Sequence, residues 1–322
     1  MTAHGLPPIL REAIARMVRD IQPAELAARA AKLSDNYRAR GGSETIKSFE
    51  DVAAYLATRM PATFAAMIAS LDWTKVRLVD FAPLSVLDIG AGAGAASWAA
   101  AEIFPSLQSF TMLDRNRQFL GAARTLADAH ALMRDAAILE SDIAILPNGT
   151  QADLVLANYA LTELSDDVLT RAVPHLWTAT KGVLVIVEPG TPDGFARILK
   201  CRASLLKDGA RIVAPCPGDY PCPIAKPGWC HFAARLPRSR AHIRAKGGAV
   251  PFEDEKFSYL AVAHENVGLR PSSPRILSRP HALKHALRVR ICADGGIAEH
   301  EASKRDKESY RAFARKDWGD AV

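Results

Sequence analysis

From Leu84 onward, short apolar runs alternate with longer stretches of helical periodicity. The runs SVLDIG, SFTMLD, AAILE, ADLVLAN and GVLVIVEPG follow one another in this way up to Gly190. Strands separated by helices build a parallel sheet through right-handed crossovers, so an α/β domain is expected over residues 76–322. Residues 1–75 lack that alternation and read as a helical N-terminal region. Within it, Ser48 followed by Asp51 is a capping-box pattern, with Phe49, Val52, Ala53 and Leu56 on one helical side. Pro61 is expected to break or kink that helix.

After Glu188 the rhythm changes. Pro215, Pro217, Pro221, Pro223, Pro227 and Pro237 leave no room for long regular elements between them. An irregular loop of that length inside a compact domain is usually functional or held by something other than a core. Strand patterns resume at KFSYLAVAHE and HALKHALRVRICAD, and both are expected to close the same sheet. The segment of about 200–250 is then an insertion between the fifth and sixth strands. The tail, 303–322, reads as one basic helix ending in an exposed Trp318.

The chain has 322 residues, 49% hydrophobic and 24% charged, which is the balance of a globular protein with a sizeable core. No run of about 18 apolar residues occurs, so no membrane span is expected. The N-terminus has no apolar centre of the secretion-signal kind, and Glu12 and Asp20 depart from an Arg-rich transit peptide. A reducing cytoplasm is the expected setting, where grouped thiols point to metal or catalysis before disulfides. The net charge of +6 is uneven, with eleven Lys and Arg against two acids from Arg197 to Lys246. From Arg275 to Cys292 there are five basic residues and no acids. Two such blocks are either a solubilising face or a surface for polyanion phosphate, and the richness in Arg favours nucleic acid.

Asp88-Ile89-Gly90-Ala91-Gly92-Ala93-Gly94 follows a strand pattern and precedes the helical run AASWAAAEIF. Glycines there permit a tight turn and close approach of a ligand to the backbone. Dinucleotide sites have similar turns, but Asp88 before the first glycine suits a ligand ammonium group, met directly or through water. Asp114, ending the second strand, is placed for ribose hydroxyls. Asp142, after the third strand, is placed for an exocyclic adenine amine, or equally for a helix N-cap. Together these features resemble a class I S-adenosylmethionine-dependent methyltransferase, a Rossmann-like fold, with S-adenosylmethionine as cofactor. Asn158 and Tyr159, after the fourth strand, are the candidate catalytic residues. Amino-methylating relatives commonly carry Asn or Asp, two prolines and an aromatic at that place, and here both prolines are missing. Glu163 reads as a helix-start carboxylate.

Three of the five cysteines, Cys216, Cys222 and Cys230, lie in the Pro-rich segment, and Cys292 follows 62 residues later. Pro215-Cys216 and Pro221-Cys222 resemble the nucleophile of cytosine C5 methyltransferases, yet they lie too far beyond the fifth strand for that role. Four thiolates suit either zinc or an iron–sulfur cluster. The spacing C-x5-C-x7-C is looser than a zinc knuckle and leaves the two level. Burial as a small hydrophobe explains Cys201 well and the other four poorly.

The wording IVAPCPGDYPCP, WCHFAARLPRSRAH, EDEKFSYL, RVRICADGG and SKRDKESYRAFARKDWGD resembles the methyltransferase-like small-ribosomal-subunit assembly family, over roughly residues 30–322. That resemblance implies association with the small ribosomal subunit and its rRNA, and a 4Fe–4S cluster on Cys216, Cys222, Cys230 and Cys292, zinc being the alternative. It implies a cytoplasmic protein in a bacterium or a mitochondrial one in a eukaryote, with a monomer expected. Arg235, Arg238, Arg240, Arg244, Arg275, Arg279, Arg288 and Arg290 would hold rRNA phosphates. Trp229 and His231 would either stack on bases or pack beside the cluster. Three functions remain: an S-adenosylmethionine-binding factor for the small subunit with rRNA methylation, a non-catalytic rRNA-binding assembly factor, or a small-molecule methyltransferase with structural zinc.

Overall fold

A computed structural model describes residues 5–39, 41–147, 149–224, 226–239, 242–243, 250–293 and 296–322. Four helices open the chain: α1 (Pro8–Val18), α2 (Pro23–Arg38), α3 (Phe49–Thr58) and α4 (Met60–Lys75). Ser48 Oγ accepts from Asp51 N, and Asp51 Oδ2 accepts from Ser48 N, so the capping box closes both ways. Pro61 sits in the first turn of α4, where its missing N–H costs nothing, and α3 and α4 meet at a bend of 48°. Met60, Phe64, Met67 and Leu71 of α4 are fully buried. A helix apolar on all sides belongs inside a core, and α4 shares one with α5 (Ala95–Ile103) and the sheet below.

After a short pairing of β1 (Leu78–Val79) with β10 (Gly268–Leu269), the main sheet begins. It contains β2 (Ser85–Ile89), β3 (Ser109–Asp114), β4 (Ala137–Glu140), β5 (Ala152–Asn158), β6 (Thr180–Pro189), β7 (Arg211–Ala214), β8 (Phe232–Pro237) and β9 (Phe252–Ala263). Their order is β4-β3-β2-β5-β6-β9-β7, with β8 alongside β9. The first five run parallel, and β9 is antiparallel to β6, β7 and β8. Helices α6 (Arg117–Ala127), α7 (Asp166–Ala179) and α8 (Pro192–Lys207) complete the crossovers. Cores lie on both faces of the sheet, as a buried parallel sheet requires. This is the α/β Rossmann-like methyltransferase arrangement. Its ligand crevice lies where the order reverses, beside β2 and β5.

Three expectations change here. The segment HALKHALRVRICAD does not close the main sheet: it holds β12 (His281–Ala282) and β13 (Ala286–Ala293) of a separate four-stranded sheet with β11 (Arg275–Ile276) and β14 (Gly296–Ser303). Its face packs a small core of Ile276, Leu287, Val289 and Ala302 against Phe313 of α9 (Lys307–Ala314). The Pro-rich loop also follows an extra strand, β7, so it lies between β7 and β8 rather than directly after the fifth strand. Trp318 is not at a helix end in solvent. It lies past α9, half-buried, against His231.

Candidate functional site

The carboxyl ends of the parallel strands open on a cavity of about 1250 Å³. Gly90, Gly92, Asp114, Asp142, Asn158 and Tyr159 all line it. Gly90, Gly92 and Gly94 have φ of +65°, +54° and +87°, a region that L side chains avoid. A Cβ on Gly90 would lie 2.4 Å from Ala160 Cβ, whereas at Gly92 the nearest atoms stand 3.8 Å and 4.0 Å away. Gly92 therefore keeps its backbone open to a ligand. Gly94 is not in the wall; it starts α5.

Asp114 Oδ2 accepts from Gly92 N at 2.8 Å and Oδ1 from Asn116 N at 2.8 Å. Each oxygen retains a second lone pair for a ribose hydroxyl, although burial raises the carboxyl's pKa. Asp142 is exposed on the cavity wall and caps a turn at Ala144 N, 2.8 Å away, rather than a helix. Asp88 departs from expectation. It is fully buried and absent from the wall, and Oδ2 accepts from both N and Oγ of Ser97 at 2.9 Å. Oδ1 has no protein partner, and desolvation pushes the carboxyl up to about 7. Asp88 thus ties the glycine turn to α5 in place of touching a ligand directly.

At the acceptor end, Asn158 Nδ2 donates to Thr63 O at 3.3 Å. Tyr159 has φ +59°, a strained value for a non-glycine residue, of the kind found where surrounding structure over-determines the backbone. Its hydroxyl donates to Glu255 Oε1 at 2.9 Å, and Arg59 Nη2 lies 3.2 Å from the same oxygen. Burial and the Glu255 charge hold the Tyr159 hydroxyl protonated, well above its ordinary range. The Arg59 guanidinium lies 5.8 Å from the Tyr37 ring centre. Glu163 is not a helix-start cap; that role falls to Ser165. Glu163 instead accepts from Ser43 N, Ser43 Oγ and Arg115, tying the N-terminal helices to the crevice. Sequence reasoning missed Arg59, Glu255 and Ser43, because their partners are about a hundred residues or more away in the chain.

The second site is the narrow apolar cavity of about 40 Å³ under the Pro-rich loop. Cys216, Cys222 and Cys230 line it from the loop, and Cys292 lines it from β13. All four are free thiols. Burial, reinforced by the neighbouring sulfurs, pushes Cys230 well above the ordinary thiol range and Cys292 up to about 11. Among the described residues, no three His, Cys, Asp or Glu side chains gather as a single metal ion requires. Cys201 is elsewhere, in the α8 core, as a buried hydrophobe. Trp229 stacks on His231 with centroids 5.2 Å apart and donates Nε1–H to Gly190 O.

A family model described as mitochondrial small ribosomal subunit Rsm22 matches residues 49–322. The chain belongs to the Rsm22 family. It is 27% identical to the human mitochondrial ribosome assembly protein METTL17, over 83% of this chain and 61% of that protein. It is 26% identical to the Rsm22-cox11 tandem protein 2, mitochondrial, of Schizosaccharomyces pombe, over 84% of this chain and 42% of that protein. The chain therefore spans between about two fifths and three fifths of these relatives. Among solved structures it is similar to the magnesium protoporphyrin IX methyltransferase of Synechocystis with bound SAM (15% identity, TM-score 0.41, 72% of this chain and 90% of that one). A precorrin-6y C5,15-methyltransferase of Geobacter metallireducens gives 20% identity and a TM-score of 0.40, over 62% of this chain and 86% of that one.

The arginine surface of this Rsm22-family chain differs from a row of free cations. Arg235 pairs with Asp254 at 2.7 Å, Arg238 with Glu253 at 3.2 Å and Arg288 with Glu301 at 2.7 Å. Arg279 lies 3.5 Å from Asp254 and 3.9 Å from Asp317. Arg275 is only 4% exposed and donates to Pro215 O and Gly319 O, so it is a buried clamp and not a phosphate ligand. Arg290 is exposed on β13. Arg240 and Arg244 lie outside the described residues.

Proposed function

We propose that this chain binds S-adenosylmethionine in the large cavity and serves assembly of the small ribosomal subunit, contacting its rRNA. In this reading Cys216, Cys222, Cys230 and Cys292 hold a 4Fe–4S cluster. The observation that carries it is the meeting of four free thiols, from a loop and from a strand of a second sheet, at one apolar cavity. The donor set suits either group: zinc takes four thiolates about 2.3 Å from one point, and a tetranuclear cluster takes one thiolate per iron. The resemblance to the small-subunit assembly family is what favours the cluster. Among its described residues, the loop between β7 and β8 has no helix or strand to resist widening around such a group. Bound there, the group would link that loop to β13 and contribute folding free energy the Pro-rich segment cannot draw from a core. In the large cavity, Asp114 accepts from the ribose hydroxyls, Asp142 from the adenine amine, and Gly92 admits the ligand to the backbone.

A non-catalytic assembly factor is the second reading, and one feature favours it. Tyr159 spends its hydroxyl hydrogen on Glu255, and Asn158 spends one of its two amide hydrogens on Thr63 O, which leaves Asn158 Oδ1 as the polar atom without a protein partner at those two positions. Protein purified without oxygen and assayed for iron, sulfide and zinc tests the metal reading. Calorimetry with S-adenosylmethionine and co-sedimentation with small subunits test the rest. Stoichiometric zinc without small-subunit association would replace the proposal with a small-molecule methyltransferase, and absence of donor binding would leave the scaffold reading.

A further inference from the structure

Two buried guanidiniums flank the cysteine cavity. Arg202 on α8 is 7% exposed and Arg275 on β11 is 4% exposed, and both line the cavity with the four cysteines. Arg202 Nη2 donates to Gly218 O and Tyr220 O at 3.2 Å and 2.5 Å. Arg275 Nε and Nη1 donate to Pro215 O and Gly319 O at 3.1 Å and 2.6 Å. These carbonyls satisfy hydrogens but do not cancel charge. Among the described residues, no carboxylate lies within ion-pair distance of either guanidinium, and Arg202 Nε has no hydrogen-bond partner in the protein. Arg202 lines the cavity with Cys216, where its charge favours the thiolate, and Arg275 is the cross-strand partner of Cys292. A third cation, Arg77, is close enough to repel Arg275. Burying an ion without a counter-ion is strongly unfavourable, so this arrangement calls for an anion in the cavity.

We infer that Arg202 and Arg275 are the counter-charge of the centre held by Cys216, Cys222, Cys230 and Cys292. A dicationic core held by four thiolates carries two net negative charges, which two guanidiniums cancel. The same two side chains fix the loop by its own carbonyls, at Pro215, Gly218 and Tyr220, on either side of Cys216. This inference rests on the reading that the cysteines hold a metal centre.

The test compares anaerobically purified wild type with Arg202→Met, Arg275→Met, Arg202→Lys and Arg275→Lys. Iron, sulfide and zinc per chain are measured, and the reduction potential is titrated with dithionite and mediator dyes. One-electron reduction by dithionite adds a negative charge to the centre. Removing one guanidinium should therefore lower the reduced-to-oxidised ratio about tenfold at fixed potential, a fall of about 59 mV. The Lys variants, which keep the charge, should stay within about twofold of wild type, or about 18 mV. In a zinc-bearing chain the same loss is read as about tenfold weaker retention against a chelator, or about 1.4 kcal/mol. Neutral variants with wild-type metal content and wild-type potential would overturn the inference while leaving the cluster reading intact. A wild type with neither iron nor zinc overturns both. If the Met variants do not fold, folded Lys variants that have lost the metal would also overturn it, since charge alone would then be insufficient.

Discussion

Asp88 gives the sharpest test of how this site is built. Its carboxylate is fully buried, meets only the N–H and hydroxyl of Ser97, and leaves one oxygen without a protein partner. Desolvation therefore pushes its pKa from 3.8 up to about 7. The sign follows directly. Below the unfolded value both states carry the proton, and Asp88 imposes no penalty. As pH rises past it, the unfolded chain ionises while the folded chain must either hold the proton or bury a charge, so stability is lost. The loss stops growing once pH exceeds the folded value. At about 1.4 kcal/mol per decade, the interval corresponds to about 4 kcal/mol as an upper bound. Asp88→Asn keeps an acceptor for Ser97 and has no proton to lose. Urea midpoints of the two proteins, compared from about pH 4 to about pH 8, should show the Asn variant gaining on wild type across that window and then holding a constant lead. Other titrating groups cancel in the difference, apart from Asp114, whose charge is coupled to that of Asp88. A difference that is flat with pH, or that widens toward acid, would refute the buried-proton argument.

Three further outcomes follow from the geometry. Gly90→Ala places a Cβ 2.4 Å from Ala160 Cβ at φ +65°, so calorimetry should show S-adenosylmethionine binding lost, with about 1–3 kcal/mol of stability lost as well. Glu255→Ala leaves Arg59 and the Tyr159 hydroxyl without their shared acceptor and should cost about 1–3 kcal/mol in denaturant unfolding. Arg59→Met combined with Glu255→Met should recover part of that, and additive single effects would show that the pair is not coupled. Asp254→Asn releases Arg235 from its carboxylate partner and leaves Arg279 with Asp317, so binding to small-subunit rRNA should tighten and depend more steeply on salt. Unchanged or weaker binding in a filter assay would remove this face from the RNA contact.

Much of the donor half is legible because parallel strands buried on both faces read as unbroken apolar runs. SVLDIG, ADLVLAN and GVLVIVEPG are of that kind, and Val183 to Val187 of β6 are fully buried. The segment around Cys292 carries a different signature. Leu287 and Val289 are buried while Arg288 and Arg290 are exposed, the period-two pattern of an antiparallel strand with one wet face. Attention to period over composition would have separated this strand from the main sheet. The burial of Asp88 away from direct ligand contact was not legible for another reason. A carboxylate before a glycine turn has the same letter whether it faces a ligand or caps the helix behind it, and only Ser97, nine residues on, decides between them. Glu163, Arg59 and Glu255 carried no local signal, because each acts through a partner brought near by the fold.

The basic blocks show how a count along the chain misstates charge in space. Arg235 and Asp254 are cross-strand partners on β8 and β9, and Arg288 and Glu301 are cross-strand partners on β13 and β14. The acids lie in EDE at 253–255 and at Glu301 on β14, outside the windows in which the arginines accumulate. Opposite charges facing across a ladder stabilise it by about 0.2–1 kcal/mol, and exposed pairs fall within a similar range. That is weak enough for a phosphate to displace the carboxylate, but the exchange replaces one anion with another around a fixed cation. The net release of counterions is then smaller than for a free arginine. An rRNA contact on this face would therefore select by geometry, through arginines already held in place, more than by raw positive charge. The buried arginines act in the opposite way. Among the described residues, Arg202 and Arg275 have no such exchangeable acid beside them, and on the inference above their charge is directed at the four sulfurs.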